Sequence, residues 1–152
     1  MNITEIKIDY KAGKAFLENY ASHFERLEEQ ETIKLRLMHE RKPEAVAALI
    51  PDEQAFIMKT DLLERQRLKL FGRKNLNQIL EGAPEAMQKD IERLCKRIRA
   101  SVSQIQKINE IIRLMSSERL KRAQRANKQL ETYNDRGSVS TKYRNNLPDI
   151  KA

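Results

Sequence analysis

From Lys14 onward the apolar residues Phe16, Tyr20, Phe24, Leu27, Leu35 and Met38 recur mostly three or four apart, the spacing that lines one face of an α-helix. Glu31 falls on that face where an apolar residue is expected, so the strongest packing is predicted before and after it. A first helix follows over about 12–41. It ends there because Pro43 biases Lys42 away from helical geometry and suits the first turn of a new helix.

A second helix is predicted over about 44–71. "EAVAALI" leads into Pro51, and "PDE" is a good helix start whose carboxylates face the positive end of the helix dipole, so a kink is expected at that point. Leu49, Phe56, Leu63 and Leu70 then fall seven apart, a coiled-coil type of repeat, and Gly72 supplies a stop. "EGAPEA" punctuates the chain again, with Pro84 ready for a first turn.

The third helix, predicted over about 84–133, carries the clearest pattern. Ile91, Ile98, Ile105 and Ile112 occupy one heptad position and Met87, Leu94, Ile108 and Met115 a second, broken only by Ser101. At ~1.5 Å per residue such a helix is about 75 Å long, more than either earlier helix covers, so part of it is expected to project. After Met115 the pattern changes. Arg119 and Arg122 take the heptad positions, and the apolar residues become Leu120, Ala123 and Leu130, with Asn127 between the last two. A stripe that leaves the register of the core either bends to follow it or offers itself to another protein, as an amphipathic helix laid in a groove does.

Composition agrees with long helices. Among 152 residues there are 4 Gly, 4 Pro and no Trp, with 39% hydrophobic and 34% charged residues, too few turn formers for a sheet protein. The expectation is an all-α chain: an antiparallel helical hairpin or bundle with coiled-coil-like packing, one long C-terminal helix, a single domain over 1–137 and a flexible tail over 138–152. No stretch reaches the roughly 18 apolar residues of a membrane span, and the N-terminal "MNITEIKIDYKAGKAF" is too charged for a secretory signal, so a cytoplasmic location is expected.

The formal charge of +8 favours acidic partners. However, the basic clusters "RLCKRIR" and "RLKRAQR" are spread around the helix, and no aromatic residue lies between Phe71 and Tyr133 to stack on bases. Nucleic acid is therefore not the favoured partner. Catalytic chemistry has little material to work with. His23 and His39 are too far apart to bind a metal from one helix turn, no glycine-rich phosphate loop is present, and Cys95 reads as a small apolar residue beside the core stripe. No enzyme, cofactor or metal is expected.

The order of a Glu-rich first helix, a second ending in "LLERQRLKLFG", a long third containing "IQKINEIIRLM" with Asn109, and the terminal "TYNDRGSVS" resembles the FlgN family of flagellar export chaperones, from about Phe16 to Ser140. The most specific part of the likeness is the Tyr-x-x-x-Gly turn from Tyr133 to Gly137. This resemblance implies a cytoplasmic bodyguard for the hook-filament junction proteins FlgK and FlgL. It would hold their C-terminal regions until type III export, with a contact to export-gate components around Tyr133. It also implies that the partner surface lies on the C-terminal half of the third helix, with Ile111, Leu114, Leu120, Ala123 and Leu130 as anchors and Gly137 ending the helix. The basic balance departs from the acidic norm of secretion chaperones, so either the bound tails are acidic or the basic face serves another partner. The residues leave two other readings open: a basic helical nucleic-acid binder and a structural coiled-coil adaptor.

Overall fold

In a computed structural model, residues 7–135 are described, and their side chains through Thr132. The fold is all-α, with several packed helices and one long one: α1 (Tyr10–His39), α2 (Pro43–Ala48), α3 (Ile50–Phe71), α4 (Leu76–Glu81) and α5 (Glu85–Asp135). By contacts the chain divides into two units, Met1–Ile108 and Asn109–Ala152. The tail expected over 138–152 lies outside the described residues.

Helix boundaries follow local chemistry. The Asp9 carboxylate accepts from the Lys11 and Ala12 backbone N–H groups at 3.1 and 3.2 Å, capping the start of α1. The helix stops before Pro43, with Arg41 in the left-handed region at φ 56°. The stretch expected as one kinked helix over 44–71 is two helices. Pro51 has no N–H to donate to the Ala47 carbonyl, and Leu49 closes a tighter turn by donating to Val46 O at 3.1 Å. At the end of α3, Gly72 takes φ 63°, a conformation in which a Cβ would be strained.

The short α4 is an element that periodicity did not reveal. It is begun by a capping box: Asn75 Oδ1 accepts from the Gln78 N–H while Gln78 Oε1 accepts from the Asn75 N–H, both at 2.9 Å. Its one buried residue, Ile79, is fully enclosed.

The core belongs to the first unit. Phe16, Leu17, Tyr20 and Ala21 of α1 meet Leu63 and Phe71 of α3, Ile79 of α4, and Ile91, Leu94, Cys95 and Ile98 of α5. Each large aliphatic side chain so buried contributes about 1.5–3 kcal/mol. Phe16 stacks on Tyr20 at 5.1 Å between ring centroids and meets the edge of Phe71 at 6.0 Å. The Phe71 ring comes so close to Gly13 that a Cβ there would lie 2.9 Å from it. Ser101, the break in the heptad, is buried all the same, a small residue within the seam.

Ion pairs join the elements around this core. Arg97 of α5 grips Glu25 of α1 with two parallel bonds of 3.1 and 2.5 Å, Lys14 reaches Asp90 at 3.1 Å, and Lys34 of α1 reaches Glu53 of α3 at 2.9 Å. Glu31 does not interrupt the packing as its chemistry suggested. It is buried, and burial raises its carboxyl above the usual carboxylate range, with Lys34 opposing that shift and Glu53 adding to it.

Candidate interaction surface

The residues predicted as anchors lie in the second unit, on α5 beyond Ile108. Between Asn109 and Thr132 no residue is buried. Ile111 and Leu114 are 46% and 54% exposed, whereas Leu120, Ala123 and Leu130 are half-buried. At about 100° per residue, Ile112, Leu120, Ala123 and Leu130 fall within about 80° of one another on the helix. Ile111 and Leu114 fall on a different side, so the five anchors form two groups and not one stripe. Tyr133 lies in α5, but its side chain is outside the described part, as is the whole of Gly137.

Local pairs on this helix come from its own turns. Arg113 holds Glu110 by bonds of 3.1 and 2.6 Å, Arg122 lies 3.7 Å from Glu118, and the Thr132 hydroxyl donates to Lys128 O at 3.0 Å. The Arg113 hydrogen bond draws the Glu110 carboxyl below its usual range. From Ile111 to Leu130 the only carboxylate is Glu118, against Arg113, Arg119, Lys121, Arg122, Arg125 and Lys128. The apolar residues therefore sit in a strongly positive setting, which favours an acidic amphipathic partner.

Three features of the first unit escaped the pattern reading. A cleft of about 400 Å³ is lined by Tyr20, Glu64, Arg67, Ile98, Arg99 and Val102, among others. At its edge the Tyr20 hydroxyl donates to Glu64 Oε1 at 2.6 Å and Arg67 Nε donates to Oε2 at 2.9 Å. Burial raises the Tyr20 phenol, and Glu64 adds to the shift; burial also opposes ionisation of Glu64, but the bonds from Tyr20 and Arg67 outweigh it and lower that carboxyl. Its charged groups are paired within the fold, Glu64 with Arg67 and Arg99 with Asn77, so the cleft reads as a braced joint between helices. No signal at fixed spacing in the sequence links Tyr20 to Glu64, 44 residues away.

The second feature is His23, which is buried between the Phe24 and Phe56 rings, with centroids 5.5 and 5.7 Å away. Its Nε2 lies 2.7 Å from Thr60 Oγ1, whose own hydroxyl proton is given to Phe56 O at 2.8 Å. Nε2 therefore carries the hydrogen and donates, leaving Nδ1 as a buried nitrogen without a partner. Burial, with Lys59 and Arg26 adding to it, lowers its pKa and keeps it neutral. The third feature is an exposed apolar face on α3, whose residues a wheel plot groups together but whose exposure only the fold shows.

Among the described residues, no group of three or more His, Cys, Asp or Glu could hold a metal ion, and no helix is long and apolar enough to cross a membrane. No protein-family model, curated protein or solved structure matches this chain. That finding corrects the description carried in with the resemblance: flagellum, chaperone, type III secretion and protein export have no support from any known relative.

Proposed function

We propose that this protein acts by binding, not by catalysis, and that it captures an acidic amphipathic helix of a protein partner on the C-terminal half of α5. One observation carries the reading: from Asn109 to Thr132 apolar residues recur among six cations, yet none of them is buried. A helix whose apolar side is left partly exposed gains from a partner that completes its burial. In this reading α1, α3 and the Glu85–Ile108 part of α5 form an antiparallel, coiled-coil-like bundle that anchors the binding helix. Leu120, Ala123 and Leu130 make the apolar contact, and the cations set the preference for an acidic partner.

The C-terminal segments of FlgK and FlgL, the partners implied by the sequence resemblance, are the first to try. Calorimetric titration with each segment, and with random DNA duplex as control, tests the proposal. Saturable binding that survives moderate salt and is lost in Leu120→Asp supports it. Binding to duplex alone, falling steeply with salt, would replace it with a nucleic-acid reading.

A further inference from the structure

Helix α3 has two apolar faces, and only one is used by the fold. Leu63 and Phe71 are buried, with Phe56 and Leu70 half-buried beside them. Away from that side, Ile50, Ile57, Met58, Leu62 and Leu68 are 48%, 67%, 73%, 53% and 48% exposed. At about 100° per residue these five span roughly 140°, an amphipathic face on which no described residue is laid closely enough to bury it. Only Ile33, Ile111 and Leu114 join them as large, exposed apolar side chains among the described residues, so this is where such surface is concentrated. Exposed apolar area of this extent marks an interaction site.

The charges on the face identify its occupant. Asp61 and Arg65 both lie within it and both are exposed, two residues to either side of the level of residue 63. Lys69, also exposed, lies on the same face and extends its positive end. A second α3 laid antiparallel about that level brings Asp61 opposite Arg65 of the other copy, twice by symmetry. It also sets Met58 at the height of Leu68 of the other copy, with the two Leu62 side chains near the axis. A parallel partner would set Arg65 against Arg65 and Asp61 against Asp61. We infer that two copies of this chain associate through the outer face of α3 as an antiparallel, two-fold pair. This surface is separate from the one proposed on α5, and neither inference depends on the other.

Sedimentation equilibrium of the full chain over a wide concentration range tests it, with circular dichroism to check that each variant is folded. The wild type should show a monomer–dimer equilibrium. Met58→Lys with Leu62→Lys should leave a folded monomer, and Asp61→Arg should weaken the dimer about tenfold or more, since like charges are then juxtaposed. Adding Arg65→Asp to Asp61→Arg should restore it, because the pairing is merely reversed. Leu120→Asp should have no effect on the dimer. A wild type that is monomeric throughout overturns the proposal, as does a dimer indifferent to all the α3 variants. So does a monomer that uses Met58 and Leu62 to bind anionic lipid vesicles, which would assign the face to a membrane surface.

Discussion

Glu85–Ile108 and Asn109–Thr132 are stretches of a single helix, rich in aliphatic residues on the same kind of spacing, and they have opposite fates. In the first stretch Ile91, Leu94, Cys95, Ile98, Ser101, Ile105 and Ile108 are buried; in the second no residue is. Periodicity is a property of the chain, but burial is a property of what lies opposite. The first stretch meets α1, α3 and α4 in one core, and ion pairs to Lys14 and Glu25 hold it there. The second keeps its aliphatic residues amid positive charge, with ion pairs formed within its own turns. Apolar spacing thus marks what a helix offers, and only the fold reveals whether the offer has been taken up.

The largest way to break this contrast is Ile98→Asp. Placing a carboxylate at a core position 3% exposed costs several kcal/mol. Thermal or denaturant unfolding should show a protein that no longer folds; an equally stable variant would place the core elsewhere. Ile98→Ala is milder and should cost about 2–5 kcal/mol by leaving a cavity.

Next in size is a pH effect from His23. Its folded pKa is lowered, whereas the unfolded side chain takes up a proton near its ordinary value of about 6.5. Below that pH the unfolded state binds more protons, so stability is full above about 6.5 and is lost as pH falls toward the folded pKa. Denaturation midpoints measured from pH 8 to pH 5 should fall, and His23→Gln should flatten the part of the fall due to this residue. An unchanged slope would mean that His23 takes its proton in the folded state.

Arg97→Ala is smaller still. The pair with Glu25 is bidentate but about 40% exposed at both side chains (39% and 42%), so solvent screens it and the expected loss is at most about 1 kcal/mol. The smallest effect on stability belongs to the other half of α5: Leu120→Asp and Leu130→Asp should change it by no more than about 0.5 kcal/mol. Those same variants should abolish partner binding. Unfolding by either would show that their stripe is part of a core.

Much of the fold was legible because it rests on local rules. The three-and-four spacing of Phe16, Tyr20 and Phe24 and the heptads of Ile91, Ile98 and Ile105 marked helix faces that are buried or half-buried here. Pro43, Pro51, Gly72 and Pro84 each fall at a helix boundary. Two local signals were present and went unread. The Asn75 to Gln78 capping box announced α4, and the missing Pro51 N–H made a break, not a kink, between α2 and α3. The candidate surface was less legible. Helix spacing named Leu120, Ala123 and Leu130, but the family resemblance grouped them with Ile111 and Leu114, which lie on another side of the helix. The heptad of Leu49, Phe56, Leu63 and Leu70 drew attention to one face of α3 and hid the exposed one.

The sequence by itself determined that this chain is helical, where most of its helices stop, that one helix is very long and that its distal half is basic. Helix formation depends on propensity, caps and residues a few positions apart, all of which travel with the chain. Only the tertiary structure decided that Glu31 and His23 are enclosed, that Tyr20 and Arg67 share Glu64, and that one apolar face of α3 is core while the other is bare. Those outcomes depend on groups dozens of residues apart, brought together by burial, which has no fixed spacing to betray it.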